Sequence, residues 1–349
     1  MTRRVSIPLK IGNVTVGGNA HVVVQSMAKT DTRDARATIK QIKQMEECGC
    51  EIVRVAVPDR EAAAAITTIK RNISIPLIAD IHFDYRLALL ALEAGVEGLR
   101  LNPGNIANPE QIARVAAIAK ERAVPIRIGI NAGSLPAAFE PDLSLYERMV
   151  DMALKQVALL ESLDFNLIKL SLKAFDVLTT VQAYTAIAPK TAYPLHIGIT
   201  EAGTAWPGAI RSATGIGILL HQGIGDTIRV SLTAHPCQEI RAACEILKTL
   251  KLREYGPTLV SCPTCGRTQV DIIPLAEAVD KYLEKINRPL KVAIMGCVVN
   301  GPGEARDADI GIACGKGNGI IFKKGEATKK IEEKDFLKTL IAEIDSFQE

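Results

Sequence analysis

The sequence predicts an α/β protein: a (β/α)8 TIM barrel followed by a smaller α+β domain. Three observations predict it. Through residues 22–250, β-rich runs alternate eight times with Ala-rich amphipathic runs, and strands alternating with helices form parallel sheet. The 349 residues accommodate one barrel of about 250 and a remainder of domain size. The chain also changes character after residue 253, where Tyr255-Gly256-Pro257 reads as a linker. Domains are therefore expected at 1–253 and 254–349. A doubly wound open sheet is the second reading of the first domain.

Strands are expected at 22–26, 51–57, 76–81, 97–101, 125–130, 166–172, 194–200 and 226–231. Helices are expected near 35–48, 59–71, 85–94, 108–121, 145–163, 176–188, 206–222 and 236–250. Asp34 and Asn108 stand where N-caps belong, Asn108 with Pro109 at the first helical position. Gly95 and Gly223 follow helical runs and suit left-handed C-terminal caps. In the tail, strands are expected near 257–261, 291–295, 309–313 and 319–323, and helices near 274–286 and 334–347.

Composition excludes some functions. Lys plus Arg number 42 and Asp plus Glu 39, a net charge of +3, whereas a general polyanion binder carries a basic stripe. Aromatics are 4%, with one Trp, so base-stacking platforms are not expected. No apolar run approaches the ~18 residues of a membrane-spanning helix. The basic start, MTRRVSIPLK, is not followed by the apolar segment of a secretory signal. Eight cysteines in such a chain point to the reducing cytoplasm, and to metal or catalysis before disulfides.

Five strands share an apolar–cation–apolar triplet: Val53-Arg54-Val55, Leu99-Arg100-Leu101, Ile126-Arg127-Ile128, Ile168-Lys169-Leu170 and Ile228-Arg229-Val230. Side chains alternate along a strand, so the flanking residues face the helices and the cation faces inward. An unpaired charge inside a barrel is very costly. The strand ends add Asp80, His82, Asn102, Asn131, Lys173, Thr200, Glu201 and Ser231, at the face where barrel enzymes build their sites. An internal salt-bridge layer, with Asp80 and Glu201 pairing two cations, would leave three unmatched. A small, multiply charged anion carrying a diphosphate is the better reading, since Arg suits bidentate phosphate contacts. His82 and His196 are candidate acid–base groups, and equally candidate hydrogen-bonded structural histidines. Glu201 is the first candidate for a general acid. No GxxxxGK[ST] occurs, and Gly215-Ile216-Gly217 does not continue as a dinucleotide fingerprint.

Ser261-Cys262-Pro263-Thr264-Cys265-Gly266 is a CxxC in a tight turn, and Cys297 follows within the glycine-dense run Gly296 to Gly303. CxxC with a distant Cys among Gly/Pro turns can wrap an iron–sulfur cluster. The same CPxCG is also a zinc-ribbon knuckle; Cys314 is then a candidate fourth thiolate, and Glu304 a candidate carboxylate ligand. Cys48, Cys50, Cys237 and Cys244 lie in or near helices and read as buried small hydrophobes.

Through nearly its whole length the chain resembles the 4-hydroxy-3-methylbut-2-enyl diphosphate synthases, iron–sulfur enzymes of non-mevalonate isoprenoid biosynthesis. The matching words are VQSM (24–27), TDTRD (30–34), IVRVAVPD (52–59), ADIHFDYR (79–86), LRLNPGNI (99–106), PIRIGINAGSL (125–135), LHIGITEAG (195–203), GIGDTIRVSL (223–232), SCPTCGRT (261–268) and GCVVNGPGEA (296–305). The resemblance implies a barrel that binds 2-C-methyl-D-erythritol 2,4-cyclodiphosphate and a C-terminal domain with a [4Fe-4S] cluster held by Cys262, Cys265, Cys297 and Glu304. It implies substrate contacts from Arg54, Arg100, Arg127, Asn131, Lys173, Thr200, Arg229, Ser231 and Asn300. It places Asp80, His82, Glu201 and Glu304 in the catalytic machinery. It further implies a homodimer, the cluster domain of one subunit closing the barrel mouth of the other, with flavodoxin or ferredoxin as electron donor.

Ala28-Lys29, Phe175 and His221-Gln222 depart from the residues usual in that family; Cys314 is not a family ligand, which weakens the zinc alternative. The length resembles the two-domain bacterial type. Three other readings stand beside this one: an iron–sulfur (de)hydratase, a zinc-stapled barrel lyase acting on a phosphorylated sugar, and a non-enzymatic anion-binding module.

Overall fold

A computed structural model describes residues 2–82, 84–102, 108–136, 139–140, 142–297 and 306–347. Contacts divide the chain into two compact units, Met1–Arg253 and Glu254–Glu349.

The first unit opens with an antiparallel hairpin, β1 (Leu9–Ile11) and β2 (Val14–Val16). Eight strands then alternate with eight helices: β3 (Val23–Met27), α1 (Ala35–Glu47), β4 (Ile52–Ala56), α2 (Arg60–Arg71), β5 (Leu77–Ile81), α3 (Tyr85–Glu93), β6 (Gly98–Leu101) and α4 (Pro109–Glu121). The series continues with β7 (Ile126–Asn131), α5 (Leu145–Ser162), β8 (Ile168–Lys173), α6 (Val177–Ile187), β9 (His196–Ile197), α7 (Ala205–His221), β10 (Thr227–Ile228) and α8 (Pro236–Thr249). Neighbours pair in parallel from β3 to β8, and β10 pairs with both β3 and β9. A single parallel bridge, Leu170 to Leu195, joins β8 to β9 and completes the ring. The doubly wound alternative is thereby excluded, because an open sheet has two unpaired edges.

Capping explains the helix starts. Asp34 accepts from the Ala37 N–H and Asn108 from the Glu110 N–H, each satisfying one orphan donor of the first turn. Gly95 and Gly223 close α3 and α7 at φ +90° and +78°, the left-handed region that glycine enters without steric penalty. The β1–β2 hairpin, which its short runs conceal in the sequence, packs Ile11 and Val16 against Val23, Ile52 and Ile78. Those three residues begin or nearly begin their strands, so the hairpin stoppers the N-terminal end of the barrel with apolar contacts. The C-terminal end is left to polar side chains.

The second unit contains β11 (Pro257–Ser261), α9 (Ile273–Leu283), β12 (Leu290–Met295), β13 (Ile310–Gly315), β14 (Asn318–Lys323), β15 (Glu326–Glu332) and α10 (Phe336–Ser346). Its sheet runs in that strand order, β11 to β13 parallel and the rest antiparallel. Val279, Leu283, Leu340 and Ile344 pack from the helices onto Val292, Ile294, Ile312 and Ile321. β15 lacks an apolar alternation and is almost wholly exposed. It is an edge strand protected by Lys329 and Lys330, which is why the sequence pattern did not reveal it.

Candidate active site

The barrel interior carries a row of charge. In register, Asp80 lies beside Arg100, Arg100 beside Arg127, and Arg127 beside Lys169. Register neighbours on adjacent strands share a face at ~4.8 Å strand spacing. Arg100, Arg127 and Lys169 are 4%, 3% and 1% exposed. Barrels are ordinarily filled here by branched apolar side chains. The inward cations expected from the triplets are thus inside, and the question becomes what balances them.

Asp80 balances two. Its carboxylate lies 3.2 Å from Arg100 Nη1 and 3.6 Å from Arg54 Nε, and His82 Nε2 stands 3.2 Å away. The second carboxylate is Glu239 on α8, not Glu201. Glu239 accepts from Ser26 Oγ at 2.8 Å and from the Leu232 N–H at 2.9 Å, lies 2.9 Å from Lys29 Nζ, and stands 3.7 Å from Arg229 Nη2. The sequence reading missed Glu239. A signal existed: it falls on the core-facing stripe of α8 with Pro236, Ile240, Ala243 and Leu247, where a carboxylate has to find partners.

Among the described residues, three of the cations have no carboxylate in contact. Arg127 donates to Ser171 Oγ at 2.6 Å, while its Nε and Nη2 are buried without partners. Lys169 Nζ is buried without a partner as well. Lys173, 6% exposed, meets the ring of His196, 3.2 Å from its Nε2. Burial first, and then the charges of Arg127 and its cationic neighbours, push Lys169 and Lys173 well below the ordinary lysine value. Burial, then Arg54 and Arg100, do the same to Arg127. Burial, then Arg54, lower Arg229 to about 10. For Asp80, burial acts upward, but Arg54, the His82 hydrogen bond and Arg100 outweigh it and hold the carboxyl far below the usual range. The interior is a positive site short of negative charge.

Two glycines make room for it. A Cβ on Gly129 would stand 2.5 Å from Arg100 Nε. A Cβ on Gly198 would stand 2.2 Å from the Arg229 carbonyl oxygen and 2.8 Å from Lys173 Nζ. The close approach at Gly198 follows immediately on β9, which ends there rather than continuing to residue 200 as expected.

The remaining expected residues follow the strands at the C-terminal face. Asn131 and Lys173 are register neighbours at the ends of β7 and β8. Asn102 is buried and donates to Ser134 Oγ at 3.2 Å. Thr200 and Ser231 are half-buried, and Glu201 is exposed at φ +55°, a conformation costing a non-glycine residue about 1 kcal/mol and often found at functional positions. His196 is not at the mouth. It is buried, with Nδ1 2.7 Å from Thr227 Oγ1, and burial, then Lys173, lowers it well below the ordinary histidine value. That arrangement is the structural alternative, a neutral hydrogen-bonded ring. Asn300 and Glu304 lie outside the described residues.

In the second unit, β11 and β12 are parallel neighbours with Ser261 beside Ile294. Cys262 therefore leaves β11, and Cys297 follows β12, at the same C-terminal edge of the sheet. The Cys262 N–H donates to the Ile294 carbonyl and the Gln269 N–H to the Gly296 carbonyl, which ties the CxxC turn to the Cys297 segment. Thr264 occupies the left-handed region at φ +63°, and the Cys265 N–H donates to Thr268 Oγ1 at 3.0 Å. The Arg267 N–H and guanidinium lower the Cys265 thiol, and Arg267 is itself raised by Cys265, then by Cys297 and Cys262. One cation thus senses all three thiols. None of the eight cysteines, all described, forms a disulfide. Among the described residues no three His, Cys, Asp or Glu side chains are already gathered as a metal-binding group. The donor set nonetheless suits a thiophilic cluster: three unbridged thiols on one sheet edge, one of them exposed and biased toward thiolate. Cys314 does not suit a ligand. It is wholly buried in the apolar core, and burial pushes its thiol up to about 12.

Residues 6–244 match a family model described as the GcpE TIM-barrel domain, and residues 258–346 one described as the GcpE protein C-terminal domain. A 4-hydroxy-3-methylbut-2-en-1-yl diphosphate synthase (flavodoxin) from Dehalococcoides mccartyi is 59% identical over 346 residues, 99% of each chain. Enzymes of the same name from Geobacter sulfurreducens and Clostridium acetobutylicum are 57% and 54% identical, covering 97% of this chain and 96% and 97% of theirs. Among solved structures, dihydropteroate synthase from Stenotrophomonas maltophilia aligns at TM-score 0.54 and 14% identity over 70% of this chain and 97% of its own. Type I 3-dehydroquinate dehydratase from Clostridium difficile aligns at 0.52 and 14%, over 70% of this chain and 98% of its own. At that identity the likeness is one of barrel fold alone.

Proposed function

This chain belongs to the GcpE family of oxidoreductases of isoprenoid biosynthesis, and from that premise we propose its reaction. It is the reductive ring opening of 2-C-methyl-D-erythritol 2,4-cyclodiphosphate to (E)-4-hydroxy-3-methylbut-2-enyl diphosphate. Two electrons and two protons enter, a C–O bond to the ring phosphate and a C–O bond to a hydroxyl are lost, and one water leaves. The single observation that carries this reading is the charge imbalance of the barrel: Arg127 and Lys169 keep buried nitrogens without partners beside the Asp80–Arg100 pair. A diphosphate supplies the missing charge, and preorganised cations bind it without reorganisation.

In this proposal Arg54, Arg100, Arg127, Lys173 and Arg229 hold the diphosphate, and Asn131, Thr200, Ser231 and Asn300 orient it. Lys169, two inward positions before Lys173 on β8, adds field rather than contact. Asp80 stays ionised under Arg54 and Arg100, so it fixes their guanidinium groups and the His82 ring rather than giving up a proton. Glu201, exposed four residues past the end of β9, is the proton donor to the departing hydroxyl. Cys262, Cys265, Cys297 and Glu304 hold a [4Fe-4S] cluster. When bound, the cluster supplies the electrons one at a time, received from flavodoxin or ferredoxin. Flavodoxin stands in the names of the relatives. The functional assembly is a homodimer, which sedimentation of the cluster-loaded protein tests.

The substrate assignment is tested by anaerobic calorimetry with the cyclic diphosphate. The expected result is one site per chain, weakened at least tenfold by Arg127→Met. Equal affinity for the variant contradicts the reading.

A further inference from the structure

Lys29 follows β3 in sequence, yet its ammonium group reaches across to the loop after β10. It donates to the Leu232 carbonyl at 2.6 Å and to the Ala234 carbonyl, and lies 2.9 Å from Glu239 Oε1. Its three N–H bonds are all used. Glu239 is 1% exposed, and near donors occupy both of its oxygens: Ser26 Oγ on Oε2, and the Leu232 N–H with Lys29 on Oε1. Arg229 is left at 3.7 Å from Oε2, beyond hydrogen-bond distance. Its Nε has no partner. The guanidinium is therefore held by Glu239 only as a loose ion pair at 3.7 Å.

A buried carboxylate next to an arginine ordinarily closes into a short, bidentate pair. Here a second cation already satisfies the carboxylate. We infer that Lys29 is a positioning residue for Arg229: by taking up the charge of Glu239 it prevents that carboxylate from capturing Arg229, and so leaves the guanidinium N–H groups to the incoming anion. This rests on the reading that Arg229 holds the substrate's diphosphate. Among the described residues Lys29 Nζ contacts Glu239 and the Leu232 and Ala234 carbonyls and none of the side chains assigned to the substrate, so it acts through Glu239 and Arg229.

The test uses cluster-loaded enzyme with the cyclic diphosphate, and inorganic pyrophosphate as a competitive probe. Lys29→Met raises KM and the pyrophosphate inhibition constant about fivefold, with kcat within twofold. Lys29→Gln, which keeps a donor for the loop carbonyls but no charge, shows the same rise. Adding Glu239→Gln to either variant brings KM back to within twofold of the parent, because nothing remains to capture Arg229. A purely structural tether predicts the opposite, a double variant worse than each single one. An unchanged KM in both Lys29 variants, or a rise that Glu239→Gln does not relieve, overturns the inference. Arg229→Met is the reference. If it leaves KM unchanged, the assignment of Arg229 to the substrate fails; if it raises KM while the Lys29 variants do not, the positioning role alone fails.

Discussion

The Asp80 carboxylate lies 3.2 Å from the Arg100 guanidinium, with side chains only 3% and 4% exposed. A buried pair of this kind is costly to break from one side, because it leaves an uncompensated charge behind. Asp80→Asn is expected to destabilise the protein by about 3 kcal/mol and to release Arg54 as well. Chemical denaturation measures the loss. Because the folded Asp80 is depressed, its contribution is present above the unfolded carboxyl value of ~3.9 and disappears as pH falls below it. The variant and parent should therefore differ at pH 7 and converge in acid.

Lys169, Lys173 and His196 obey the opposite sign. Each is lowered in the folded state, by burial first. Between its folded and its ordinary value, each binds a proton when unfolded that it does not bind when folded, so stability rises with pH through that window. The window closes near ~6.5 for the histidine and near ~10.4 for the lysines. The melting temperature of ligand-free protein should rise from pH 5.5 toward pH 9. Inorganic pyrophosphate at about a hundred times its Kd should add about 2.7 kcal/mol.

Lys169→Met should stabilise the ligand-free protein by roughly 1 to 3 kcal/mol, since it removes a buried amino group without a hydrogen-bond partner among the described residues. It should also flatten the alkaline part of that pH profile. Scanning fluorimetry across pH decides it. A destabilised variant would mean that Lys169 has a counter-charge after all.

Gly129→Ala places a methyl group 2.5 Å from Arg100 Nε. Arg100 has nowhere to retreat, because Asp80 and the Gly129 carbonyl hold its other nitrogens. Stability should fall by about 1 to 3 kcal/mol from overpacking. Affinity for the cyclic diphosphate should fall with it, as measured by calorimetry.

Cysteine variants separate ligands from core. Cys265→Ser should lose most of its iron while the chain stays folded, as read by iron analysis and circular dichroism. Cys314→Ala should keep its iron and lose about 1 to 2 kcal/mol through the cavity it opens in the core of the second unit.

Much of this was legible in the sequence because it depends on periodicity. The Arg100, Arg127 and Lys169 triplets announce inward cations by alternation alone, and the eight β-α units announce the barrel. Helix caps at Asp34 and Asn108 are local chemistry and were read directly. What escaped depends on tertiary reach. Glu239 sits on a helix outside the ring and enters the site only because α8 folds back against β3. Glu201, which the disfavoured salt-bridge layer would have needed beside Asp80, is exposed, and the carboxylate beside Arg229 is Glu239. The β1–β2 hairpin is too short to show a period, and β15 is an exposed edge with no apolar face. For His196 the sequence leaves an acid–base and a structural role equally open, and only its partners Lys173 and Thr227 decide for the structural one.

The central claim is that the positive barrel interior binds a cyclic diphosphate for reductive opening. It is tested most directly by anaerobic incubation of the cluster-loaded protein with 2-C-methyl-D-erythritol 2,4-cyclodiphosphate and reduced flavodoxin, with the product followed by mass spectrometry. The account predicts one (E)-4-hydroxy-3-methylbut-2-enyl diphosphate for every two electrons consumed, and none without reductant. Turnover that proceeds without reductant, or tight binding with reductant and no product, would contradict it.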